Sequence, residues 1–240
     1  MGSTKARYSN GMLEFYDGQT HERTAPIGAP CVYYDDFFAK GLQTTDVWTA
    51  IDVSTSGDST PLIGADLANG VARFPLDVTS EAQESGFTFG NQRPFVLNQG
   101  LIFECRAALS TLPTLLSEAV WGLAGDKNAA ADSVAEAIWF KADGNGAIVV
   151  ENDDTANTND DVSTGTTLTA GTYAIFRIDC TTITDVHFYI NGARVASGTT
   201  FDMSTTAGLK LQPYFHIAKA SGAGLGVLDV DYVRIWQKRS

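Results

Sequence analysis

Apolar residues in this chain recur at every second position, in short runs broken by clusters of Gly, Asn, Asp, Ser and Thr. That rhythm belongs to strands with one buried and one open face, joined by tight turns. In residues 101–109, Leu101, Phe103, Cys105 and Ala107 share one face, and Ile102, Glu104 and Arg106 the other. In residues 173–180 the split sets Ala174, Phe176, Ile178 and Cys180 against Tyr173, Ile175, Arg177 and Asp179. Residues 186–196 predict a hairpin, because Asn191-Gly192 accepts the positive φ angles of a type I′ turn between twisted strands. Residues 209–218 and 228–236 add two more alternating strands.

Helical signal is confined to residues 111–120 and 128–137, each too short to organise a core. The acidic stretch 151–171 predicts a polar connector beginning as a loop or hairpin tip. Together these elements predict an all-β fold, a two-sheet antiparallel jelly-roll sandwich formed by residues 31–240 as a single domain. Residues 1–30, with Gly11, Asp17-Gly18, Pro26, Gly28 and Pro30, break the rhythm. They predict an extended N-terminal arm, which needs a surface to lie on.

Composition sharpens this picture in three ways. A hydrophobic fraction of 44% with 10% aromatics supplies a sizeable core and excludes disorder of the whole chain. A net charge of −12, with no basic patch, excludes a general nucleic-acid binder. Cys31, Cys105 and Cys180 lie far apart with no CxxC pair, so free thiols are expected in place of a zinc site or a disulfide framework. No apolar run is long enough to cross a bilayer, and residues 1–16 lack the apolar core of a secretory signal. The expectation is synthesis in a cytoplasm, without signal-directed secretion and without a membrane partner.

The closing segment LDVDYVRIWQ at residues 228–237 resembles the last strand of concanavalin A-like lectin and glucanase domains. Upstream, G-T-Y-x-x-F at 171–176 and V-x-F-Y-I-N-G at 186–192 resemble the second half of the same superfamily. A narrower resemblance is to tailed-bacteriophage virion proteins of this fold. Its residues are R-Y-x-N-G-x-L-x-F-Y-D at 7–17, Val32-Tyr33-Tyr34 before Asp35-Asp36-Phe37, W-G-L-A-G-D at 121–126 and A-I-W-F-K-A-D at 137–143. It implies a capsid decoration or cement protein on the virion exterior. Its partners would be the major capsid protein and further copies of itself, as a dimer or trimer, gripped by an arm using Arg7, Tyr8, Leu13, Phe15 and Tyr16.

Chemistry is sparse. A retaining glucanase needs two carboxylates about 5 Å apart, and the superfamily's E-I/L-D-x-x-E strand motif is absent. No nucleophile elbow, Cys/His pairing or phosphate-binding glycine loop stands out. The expectation is therefore a non-enzymatic structural protein with no cofactor. The alternative is a lectin-like module binding surface polysaccharide, with a glucanase-type hydrolase behind it. A structural calcium, which takes clustered oxygen ligands, would draw on Asp35, Asp36, Asp229 and Asp231. His187 and His216 read as packed sheet residues beside aromatics.

Overall fold

The computed structural model describes residues 4–9, 12–19, 31–39, 41–65, 67–114 and 116–239. In chain order its strands are β1 (Thr4–Ser9), β2 (Met12–Asp17), β3 (Cys31–Asp35), β4 (Thr49–Val53), β5 (Leu62–Ile63), β6 (Ala72–Leu76), β7 (Gln83–Thr88), β8 (Phe95–Val96) and β9 (Leu101–Thr111). Then come β10 (Ser117–Ala124), β11 (Ala137–Asp143), β12 (Ala147–Asp153), β13 (Thr158–Thr167), β14 (Ala174–Cys180), β15 (His187–Ile190), β16 (Ala193–Val195), β17 (Lys210–Lys219) and β18 (Gly226–Gln237). Sheet I runs β13-β12-β11-β10-β17-β7-β4, with β8 also on β17; sheet II runs β16-β15-β14-β9-β18-β6-β5, with β3 also on β18. The result is the antiparallel jelly-roll sandwich that the alternation predicts.

The inward faces bury one continuous core in which Phe74, Phe87, Phe103, Trp121, Phe140, Phe176 and Phe215 are fully enclosed. Its aromatics meet largely edge to face, as Trp121 does with Phe176 at 4.9 Å and Phe140 with Phe188 at 5.2 Å, the arrangement that ring quadrupoles favour. Asn191 and Gly192 turn the β15–β16 hairpin at φ 49° and 78°. Cys31, Cys105 and Cys180 are free thiols, and burial pushes the latter two well above the ordinary thiol value.

Two expectations are revised, and a third, a turn or two within 128–137, is met. Residues 111–120 are the end of β9, a turn and the start of β10, because Pro113 stops a helix and residues 117–124 alternate strictly: Ala119, Trp121 and Leu123 in, Glu118, Val120 and Gly122 out. Residues 128–137 hold one 3-10 turn, Ala131–Ser133, inside a covering segment that Gly125 N–H closes onto Glu136 O at 2.8 Å. The acidic connector is largely strand, with β12 and β13 paired on either side of a turn.

Within the arm, β1 and β2 form a hairpin that pairs Arg7 with Glu14, Tyr8 with Leu13 and Ala6 with Phe15. Phe15 and Tyr16 are half-buried, and residues 20–30 lie outside the described residues.

The turn from β17 to β18 is tied down by an unusual donor. The Lys219 ammonium, only 2% exposed, donates to the carbonyl oxygens of Asp77 at 2.6 Å, Thr79 at 2.7 Å and Gly224 at 3.1 Å. All three of its N–H groups are thereby matched, which a buried charge requires.

Candidate functional site

The outward face of sheet I follows from its register. One rung across β7, β17, β10 and β11 reads Glu84, Ala218, Glu118, Asp143; the next reads Gly86, His216, Val120, Lys141; a third carries Tyr214, Gly122, Trp139 and Glu151. Small residues stand between large ones. A Cβ on Gly86 would lie 2.1 Å from Phe215 O, and one on Gly122 would lie 2.6 Å from Ile138 O. Neither position has room for a side chain.

Segment 125–136 crosses this face. Ala131 and Val134 pack on Val120, Ala137, Trp139 and Tyr214, leaving the two rings, 5.6 Å apart, fully covered. Ion pairs fasten the segment: Arg93 to Asp126 at 2.7 Å and to Glu136 at 3.4 Å, Lys127 to Glu84 at 2.6 Å, and Asp132 to Lys141 at 3.2 Å. Lys141 also holds Glu151 at 2.9 Å and Asp161 at 3.3 Å, and lies 4.0 Å from Glu118. Burial would weaken its charge, yet these carboxylates outweigh burial and raise its affinity for the proton.

Beside the segment a trough of about 370 Å³ remains, with Ala218 in its floor, Glu84 and Glu118 on its two sides, and Leu116, Ala129 and Ala130 above. The two carboxyls are shifted in opposite directions. Burial, with Asp132 adding to it, raises Glu118 above its ordinary value against the pull of Lys141. Burial acts on Glu84 too, but hydrogen bonds from His216 and Lys127 overcome it and hold Glu84 below its ordinary value. His216 is 1% exposed, with Nε2 3.2 Å from Glu84 and Nδ1 lacking a hydrogen-bond partner among the described residues. Burial keeps its ring neutral despite Glu84. Two carboxyls pushed in opposite directions across a cavity can serve as acid and base.

The acids singled out from sequence lie on the other sheet or at its edge. Asp229 makes two 2.8 Å hydrogen bonds with Arg73, and Asp231 pairs with Arg106. Asp35 accepts from Trp48 Nε1 at 2.8 Å and from Phe37 N–H at 2.9 Å, and Asp36 accepts from Tyr34 O–H at 3.0 Å. Asp36 and Asp231 line one pocket while Asp35 and Asp229 stand apart from it. Among the described residues no three His, Cys, Asp or Glu side chains converge as a metal site would require. Arg73 and Arg106 engage Asp229 and Asp231, the Trp48 indole and the Phe37 N–H engage Asp35, and the Tyr34 hydroxyl engages Asp36. On the same outer face one rung reads Tyr34, Arg234, Glu104, Arg177, Tyr189, with Arg177 3.8 Å above Tyr189 and Arg234 4.9 Å above Tyr34.

Glu84 carries no sequence motif, and Glu118 sits in a stretch that reads as helix. The signal that marks them is the period-two alternation of 83–88 and 117–124, which places both on outward faces. Their meeting across β17 depends on pairing between distant segments.

A family model described as SO2946-like, C-terminal domain, matches residues 69–231. A comparison with curated protein sequences finds no match. Among solved structures, the protein of unknown function SO2946 from Shewanella oneidensis MR-1 aligns at TM-score 0.56 and 11% identity, over 86% of each chain. A β-1,3-glucanase from Mycobacterium marinum aligns at TM-score 0.57 and 18% identity, over 88% of this chain and 100% of that one. A carbohydrate esterase from the Shiga toxin-encoding bacteriophage phi24B aligns at TM-score 0.51 and 14% identity, over 86% of this chain and 97% of that one. At such identities the likeness shows the fold alone, the concanavalin A-like jelly roll. It nevertheless overturns the expectation of a chain without enzymatic capacity, since structures sharing this architecture include a glucanase and an esterase.

Proposed function

The chain belongs to the SO2946-like family through its C-terminal domain, and from that premise we propose that it is a carbohydrate-binding jelly roll whose trough on sheet I takes a saccharide between Glu84 and Glu118. The observation that carries this reading is the rung Glu84, Ala218, Glu118, in which the smallest chiral side chain separates two carboxyls above a cavity. The glucanase and esterase among the fold's relatives act on carbohydrate by their names, which supports the choice of ligand.

The pair is also arranged for hydrolysis of a glycosidic bond. Strands about 4.8 Å apart put the Cα atoms of Glu84 and Glu118 about 10 Å apart, which leaves room between their side chains for a sugar and a water. Water gives a proton to Glu84 as its oxygen bonds the anomeric carbon. The C–O bond breaks, and Glu118 passes its proton to the leaving oxygen. One water is consumed, and exchange with solvent restores both carboxyls.

The test is reducing-sugar release from a panel of polysaccharides together with retention on gels containing them. Glu118→Gln is expected to abolish release while retaining binding, and Glu84→Gln to lower release at least a hundredfold. Turnover unchanged in both variants removes the catalytic role, and no retention of the wild-type chain removes the saccharide.

A second reading concerns where the domain is held. The β1–β2 hairpin forms a two-stranded sheet of its own, and Phe15 and Tyr16 on it keep part of their surface open. This supports an arm that docks on a larger assembly through Arg7, Tyr8, Leu13, Phe15 and Tyr16, with a phage capsid shell as partner and a homo-oligomeric jelly roll displayed on its exterior. Co-sedimentation with undecorated capsids, lost in a Phe15→Asp/Tyr16→Asp chain, is the expected result. Equal sedimentation of both chains removes the arm.

A further inference from the structure

Sheet II has a gap in its edge. β18 pairs with β6 through Gly226–Val230 and with β3 through Val233–Gln237, and its register against β9 slips between Val230 and Tyr232. Asp231 and Tyr232 thus fall at a bulge where the strand changes partner. Bulges of this kind re-aim side chains and gather beside binding sites.

The chain leaving β3 is bent to suit this gap. Phe37 has a φ of 53°, a region that bulky side chains rarely enter. Its ring is buried 6.1 Å from Trp48, and its N–H is fixed by Asp35. The turn that follows leaves Phe38 69% exposed. Gly70, at φ 70°, backs this bend so closely that a Cβ there would lie 2.6 Å from Asp36 O and 2.7 Å from Phe37 O. Strain of this kind survives where the surroundings enforce it, and it clusters at ligand sites.

The pocket so formed has a volume of about 380 Å³, within the range of about 300–1,000 Å³ of small-ligand sites. Phe38 and Tyr34, the latter 47% exposed, present ring surface at it. Asp36, Asn69, Arg106 and Asp231 supply polar groups around the rings. Two carboxylates against one guanidinium give this lining an acidic balance, and Arg106 is already paired with Asp231. Such a lining disfavours anions, and its ring surfaces and oxygen acceptors suit a ligand rich in hydroxyls, with apolar C–H faces for the rings and O–H groups for the carboxylates and amide.

We propose that this pocket binds one residue of a neutral saccharide, independently of the trough on the opposite sheet. The geometry stands whether or not Glu84 and Glu118 act on a sugar. The probe is an array of neutral and uronate-bearing oligosaccharides, β-1,3-glucans and alginates included, read with the full chain. Ala218→Trp fills the trough and leaves the second pocket alone to be measured. Its binding to neutral oligosaccharides is expected to persist and to fall about tenfold when Phe38→Ala is added, the upper end of an aromatic contact's contribution.

Should Ala218→Trp fail to fold, calorimetric titration of the Phe38→Ala chain decides the matter. The expected result is two sites per chain with one of them weakened about tenfold, and two sites of unchanged affinity, or a single site in the wild-type chain, overturn the proposal. Loss of all binding in a folded Ala218→Trp chain, or binding restricted to uronates, overturns it while the trough reading survives. A blank array for the wild-type chain overturns both.

Discussion

Both outer faces of the sandwich carry charged and aromatic side chains and handle them in opposite ways. On sheet I, Glu118, Asp132, Glu151 and Asp161 converge on the ammonium of Lys141, and segment 125–136 shuts Trp139 and Tyr214 from water. On sheet II, guanidinium groups lie over tyrosine rings and between carboxylates, with Tyr34 open to solvent. The physical difference is hydration. An ammonium is a compact, strongly hydrated charge that needs a cage once buried, while a guanidinium stacks and tolerates partial exposure. Sheet I has consequently become a closed, polarised site, and sheet II an open, shallow one.

The comparison breaks most readily at Lys141. Lys141→Met should leave the buried Glu151 without its counter-charge and cost about 3–5 kcal/mol by urea denaturation. Arg177→Met on sheet II, where the guanidinium is as buried as Lys141 but stacks on Tyr189, should cost about 2 kcal/mol. Equal losses would mean that the two faces are not distinct in kind. Gly122→Ala tests the tight floor of the closed face. Its Cβ meets strand backbone at 2.6–2.7 Å, so a loss of about 1–3 kcal/mol is expected, as for other overpacked sites.

Smaller effects sharpen the same contrast. Because Glu118 is raised in the folded chain, its ionisation costs stability above the ordinary glutamate range, and the cost vanishes as pH falls through that range. Glu118→Gln should therefore be more stable than wild type at pH 7 and match it at pH 4. Glu84 has the opposite sign: its lowered value contributes stability at neutral pH that is lost in acid. If turnover uses both carboxyls, its optimum falls in the acid range, between the lowered Glu84 and the raised Glu118. The groups facing them are His216, Lys127 and Tyr214 on one side, and Asp132, Lys141 and Asp143 on the other. Phe38→Ala, on a ring that is mostly exposed, should leave stability within about 0.5 kcal/mol of wild type.

Strand faces were legible in the sequence wherever a segment speaks for itself. Residues 101–109, 173–180 and the Asn191-Gly192 turn fold as their alternation and turn chemistry require. What the sequence hid was pairing between distant segments. Glu84 and Glu118 are 34 positions apart and become neighbours only because β17 lies between their strands. Residues 111–120 misled because their leucines fit a helical spacing as well as a strand ending in a turn. Asp229 and Asp231 do share an outer face, but their arginine partners, Arg73 and Arg106, come from β6 and β9 and could not be read from the closing strand.

The Lys219 ammonium has a consequence for how the domain meets its surroundings. Loop ends of this kind are often fastened by an ion in exchange with solution, so that a chelator or a change of medium unfastens them. Here the cation arrives on a covalent stem, at a fixed stoichiometry of one per chain, and it has no dissociation constant. The tie between residues 77–79 and the 220–224 turn is indifferent to dilution, to EDTA and to competition among divalent metals. Only chemistry on the amine itself, such as acylation, can release it.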